Sequence, residues 1–113
     1  MSILLGFVAE HRATLAADSR GHAIADGAPM LATKLMPLPV AGCVAAFRGS
    51  YGVGLQALFR LLIAGASDFD GLAAAAPHAI MAAQHYFPEP GTRELELVIV
   101  GHSPQCCRFV GVV

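Results

Sequence analysis

At 113 residues the chain is long enough for one small domain. It is 56% hydrophobic and 13% charged, with a formal net charge of −1, which excludes a disordered chain and a basic nucleic-acid binder. The charged share is about half of what globular domains usually carry, so the expected apolar surface is large for the size and predicts cover from a partner subunit or from a second half of the fold.

No apolar stretch is long enough to span a bilayer, because charges, Gly or Pro interrupt each one. The apolar start, Ile3–Ala9, has no basic region before it and runs into Glu10, His11 and Arg12, unlike a signal peptide. The three cysteines, Cys43 and the adjacent pair Cys106 and Cys107, are an odd number without metal-ligand spacing. Reduced, semi-buried thiols in a cytoplasmic protein are the expectation.

In chain order, Ile3–Ala9 reads as a strand, residues 10–12 as a break, and Thr14–Ala17 as the second strand of a hairpin. The stretch "DSRGHAIADGAPM" reads as a turn, a brief strand around Ile24 and another turn. Lys34, Leu35 and Met36 open a strand that "PLPVAG" closes, and "CVAAF" (Cys43–Phe47) is a buried strand. The period then becomes helical. Ser50 is placed to cap a helix from about Tyr51 to Ala64 that ends at Gly65, with Val53, Leu58, Leu61 and Leu62 forming its apolar stripe. Asp70 is placed to cap a second helix running to about Phe87, with a kink or a late start at Pro77. "ELELVIVG" is a strand, and "CCRFVGVV", after the turn "HSPQ", is its hairpin partner. In that reading Cys106 and Cys107 point to opposite faces of the strand and do not share a ligand. Strands, two helices, then strands predict an α+β fold, with helices segregated to one side of an antiparallel sheet, in a single domain over residues 1–113.

Three residues stand out for chemistry. Asp18 directly follows an apolar strand in "TLAADSR". Lys34 stands at the start of another strand in "TKL". Gly49 sits in "FRGS", between a strand and a helix start. Each has an ordinary reading: Asp18 as a turn cap, Lys34 as a strand-edge lysine, Gly49 as a helix-entry glycine. Ser50 reads as a cap and Arg20 as structural. Ser2 alone reads as a permissive second residue. His78 and His85, seven apart, share one helix face, but no third ligand converges with them, and no metal or cofactor is implied.

Together, "SILLGFVAE", "TLAADSR", "ATKLMPLP", "VAAFRGS" and "ELVIVG" resemble the proteasome β-subunit superfamily of N-terminal nucleophile hydrolases, which includes the bacterial HslV-type peptidase. In that family a nucleophile at mature position one is followed by an Asp and then a Lys, sixteen residues to each next member. Asp18 minus Ser2 is 16, and Lys34 minus Asp18 is 16. The resemblance covers essentially the whole chain. It implies a four-layer αββα sandwich, of which this chain is expected to supply the N-terminal part. It also implies a peptidase that cleaves amide bonds with Ser2 as nucleophile once Met1 is removed. The family's usual residue there is Thr.

The chemistry is coherent. A free α-amine on Ser2, with a pKa near ~8, serves as the base its hydroxyl needs. Lys34 lowers the pKa of that amine and hydroxyl by its field, and Asp18 fixes Lys34 and offsets its burial. The Gly49 N–H donates into the oxyanion hole. The resemblance further implies a homo-oligomeric ring, an ATPase partner, and peptide or unfolded-protein substrates. In that family the pocket residues lie near the turn after Arg20, around Ala28–Leu31 and beside Ala45–Gly49, and their small or apolar character here implies apolar substrate side chains. The alternative expectation is a catalytically inactive assembly subunit or truncated remnant on the same scaffold.

Overall fold

The computed structural model describes residues 4–22, 29–31, 33–87 and 94–112. Among them, ten elements run in the order β1 (Leu4–Val8), β2 (Ala13–Ala17), β3 (Arg20–His22), β4 (Pro29–Leu31), β5 (Leu35–Leu38), β6 (Cys43–Gly49), α1 (Tyr51–Ile63), α2 (Phe69–Tyr86), β7 (Leu95–Ser103) and β8 (Arg108–Val112), with a 3-10 turn at Pro39–Ala41. The class is α+β, as the sequence predicts.

β5, β6, β7 and β8 form one antiparallel sheet in that order, while β1–β2 and β3–β4 are separate two-stranded antiparallel ladders. β6 and β7 sit at the centre, and their side chains alternate between two buried faces. Cys43, Ala45 and Phe47 on β6, with Leu97 and Ile99 on β7, belong to a core completed by Leu58 and Leu61 of α1 and by Leu72 and Ala79 of α2. Both helices therefore cover this face. α1 lies close to β6, because a side chain at Gly54 would overlap the Phe47 ring. The opposite face, with Val98 and Val100, looks towards Leu4, Gly6 and Val8 of the β1–β2 hairpin. The outward residues of β1 are bare: Leu5 is 53% exposed and Phe7 67%. The architecture is thus a helical layer, the four-stranded sheet, and a hairpin whose outer apolar face meets solvent.

The two edges of the sheet differ. Phe47 N–H donates to the Lys34 carbonyl at 3.0 Å, which fixes the β5 register. Met36 and Leu38 then turn their backbone groups towards β6, while Leu35 and Pro37 turn theirs outward. Pro37 removes an N–H from that outer edge, a normal placement for a strand proline. β8, on the other side, carries no proline.

Several local expectations are corrected. Asp68, not Asp70, caps α2: its Oδ1 accepts from Gly71 N–H at 2.8 Å. The cap lies earlier because the helix starts at Phe69, whose ring is buried. Pro77 does not delay the helix start; it lies inside the helix, on an exposed position. Ser50 stands at the N-cap of α1 in extended conformation, but its side chain makes no cap hydrogen bond. Cys106 and Cys107 are in the turn at residues 104–107, and β8 begins only at Arg108. The strand expected around Ile24 lies outside the described residues, as does Ala28.

Candidate active site

Lys34 is the only buried charged side chain among the described residues. Its backbone is held against β6 by the Phe47 hydrogen bond, immediately before β5. Its ammonium reaches Asp18, at the end of β2, and Nζ lies 3.0 Å from Asp18 Oδ1. The lysine side chain is 5% exposed and the aspartate 26%. Two residues sixteen apart, at the ends of two different strands, thus meet in one ion pair. A buried ammonium is costly to desolvate, and a charged hydrogen bond is the arrangement that offsets the cost.

Gly49 is the last residue of β6, two positions beyond the residue bonded to Lys34. Its φ is +112°, which side-chain-bearing residues rarely adopt. A Cβ there would overlap the Glu94 carbonyl oxygen and lie 2.9 Å from the carbonyl carbon. The next amide, Ser50 N–H, donates to that same Glu94 oxygen at 2.7 Å, and Ser50 C=O accepts the first α1 bond from Gly54 at 2.9 Å. The glycine is demanded by this strand-to-helix turn, beyond any role in helix entry.

Of the four residues singled out from the sequence, Asp18 and Lys34 are in contact and Gly49 stands at the end of the strand that backs Lys34. Ser2 lies outside the described residues.

A cleft of about 440 Å³ separates the hairpin from the sheet. Its walls are Leu4, Gly6 and Val8 on one side and Val98 and Val100 on the other. An Arg48–Glu96 ion pair, between direct cross-strand partners, contributes its polar part. None of Asp18, Lys34 and Gly49 lines the cleft.

A second polar group joins the far end of the sheet to α2. Ser103 Oγ, 1% exposed, donates to Asp70 Oδ1 at 2.6 Å and accepts from Cys106 N–H at 3.1 Å. Gln105 N–H donates to Asp70 Oδ2 at 3.0 Å. Asp70 therefore orders the β7–β8 turn, a role that its position in the sequence does not signal. Cys43, on the neighbouring strand, has its thiol pKa raised by burial and then by the charges of Asp68 and Asp70. Among the described residues no three His, Cys, Asp or Glu side chains converge as a metal site, and no helix is long and apolar enough to cross a membrane.

No protein-family model matches this chain, and no curated protein or solved structure matches it either.

Proposed function

We propose that the chain is the N-terminal part of a proteasome-like, N-terminal-nucleophile amide hydrolase. The observation that carries this reading is the buried Lys34–Asp18 pair, joining two residues whose spacing from Ser2 follows the family register. A lysine withdrawn from water and ion-paired with a carboxylate from another strand is costly to build, which favours a functional role for the pair.

In this reading Met1 is removed and the Ser2 α-amine takes the proton from the Ser2 hydroxyl as it attacks the scissile carbonyl. The developing oxyanion is met by the Gly49 N–H. The amine then gives the proton to the leaving amine, and an acyl-enzyme remains on Ser2 for water to release. Lys34 keeps positive charge beside the nucleophile, and Asp18 holds Lys34 in place. Ser lacks the methyl of Thr, so its χ1 is less restricted and the attack geometry less preorganised. The exposed Leu5 and Phe7 support the rest of the reading: the hairpin's outer face is where a second helical layer of an αββα sandwich would lie. A cytoplasmic ring of such subunits, fed with peptides or unfolded protein by an ATPase, is the assembly that goes with this function.

Intact-mass measurement before and after a hydroxyl-directed acylating inhibitor tests it. The expected result is a mass lacking Met1 and a single adduct that Ser2→Ala abolishes. Retained Met1, or an adduct indifferent to Ser2→Ala, would overturn the reading. The inactive-subunit alternative gains if Met1 is absent and no adduct forms.

A further inference from the structure

The β7–β8 turn carries two neighbouring free thiols, Cys106 and Cys107, both exposed. On a strand, successive side chains point to opposite faces. Here the pair lies in the turn at residues 104–107, outside the ladder, where that alternation does not apply. Cys107 has φ +56°, the one non-glycine residue with positive φ among those described. The turn is anchored from below: the Gln105 and Cys106 amides are held by Asp70 and by the buried Ser103 hydroxyl, and Cys107 Sγ lies 3.3 Å from the Pro104 carbonyl.

Adjacent residues across a trans peptide have Cα atoms about 3.8 Å apart. That is shorter than the roughly 4.4–6.8 Å over which disulfides normally form, so direct closure of an S–S bond here would be strained and readily reduced. A larger bridging atom relaxes that constraint. A pyramidal centre with a narrow sulfur–sulfur bite suits two neighbouring thiols.

We propose that Cys106 and Cys107 form a two-thiol binding site for thiophilic trivalent arsenic compounds. With an organoarsenic(III) oxide the step is a condensation. Two S–H bonds break, two As–S bonds form, and the oxide oxygen leaves with both protons as water. Arsenic stays trivalent and nothing is oxidised or reduced. Cys43 takes no part, being buried in the core on the helix-facing side of β6.

The test uses the whole chain, reduced with a phosphine and treated with phenylarsine oxide, read by intact mass. The expected result is one adduct per chain, with loss of one water, reversed by a dithiol and not by an equal concentration of monothiol. Cys106→Ser and Cys107→Ser each abolish it, and Cys43→Ser leaves it unchanged. Far-UV circular dichroism of each variant confirms folding; should Cys43→Ser unfold, Cys43→Ala serves in its place. Absence of the wild-type adduct, or its persistence in either single variant, overturns the proposal. Because the readout involves neither Ser2 nor any turnover, it is independent of the amide-hydrolase reading.

Discussion

Lys34 Nζ lies 3.0 Å from Asp18 Oδ1, with the lysine side chain almost wholly withdrawn from water and the aspartate a quarter exposed. The two partners are therefore unequal, and so are the consequences of removing them. Asp18→Ala takes the carboxylate from a buried ammonium and is expected to cost about 2–4 kcal/mol, the lower side of what breaking a buried pair costs. Lys34→Met leaves a carboxylate that water already reaches and is expected to cost less. Urea unfolding of both variants checks the order. In the proposed reaction both variants also slow acylation at Ser2, by about a hundredfold or more if Lys34 stabilises charge there.

Gly49→Ala is expected to destabilise the fold by about 1–3 kcal/mol or more, the cost of a side chain forced into a φ region it avoids. The added Cβ also meets the Glu94 carbonyl, so the Ser50–Glu94 hydrogen bond at 2.7 Å is expected to weaken with it. Amide hydrogen exchange at Ser50 reads that loss directly. Gly42, also at positive φ but with open space around its Cβ position, is the control. There Ala is expected to cost the backbone term alone.

Cys43 gives a pH dependence with a definite sign. Its folded-state pKa is raised, first by burial and then by Asp68 and Asp70, above the ordinary thiol value of about 8.5. Below that value both states hold the proton and the thiol's contribution is fully present. As pH rises past it, the unfolded chain ionises while the folded thiol does not, so stability falls until the folded pKa is reached. Cys43→Ala is expected to flatten this alkaline decline, measured as the unfolding midpoint between neutral and alkaline pH. In the same folded protein, two thiols are expected to react quickly with an aromatic disulfide reagent and the third slowly, since Cys106 and Cys107 are exposed and Cys43 is buried.

Ser103→Ala removes a buried hydroxyl that satisfies both Asp70 and the Cys106 amide. The expected cost is about 1–3 kcal/mol, the penalty of leaving buried polar groups without a partner. Asp68→Ala, which removes the α2 cap, is expected to cost about 1 kcal/mol. Chemical denaturation separates the two. If Ser103→Ala proves neutral, the Ser103 hydroxyl is not what anchors the turn.

Much of this was legible in the residues. The alternating, then fully apolar run "ELELVIVG" reports a strand, and the resemblance carried by the 16-residue steps implied the Asp18–Lys34 pairing. What escaped followed from tertiary packing. Asp68 and Asp70 are both sound caps by composition, and only the burial of Phe69 decides that the helix begins beside Asp68. Pro77 allows a late helix start, yet it falls on an exposed position inside a helix that begins at Phe69 and whose other face is held in the core. Cys106 and Cys107 are β-compatible in isolation; the hydrogen bonds to Asp70 and Ser103, from partners 35 and 3 residues away, draw that stretch into the turn instead. The Ser103–Asp70 bond spans 33 residues and has no local signature.

The unequal edges of the four-stranded sheet give it a direction of growth. On β5 the outward-facing position 37 has no N–H to offer, so a strand arriving there meets a gap in its ladder. β8 turns the amides and carbonyls of Phe109 and Gly111 outward, with no proline among them. Strand addition to this sheet is therefore favoured at β8, and a proline at the outward-facing Phe109 is the substitution that would cap that edge while sparing the β7–β8 ladder.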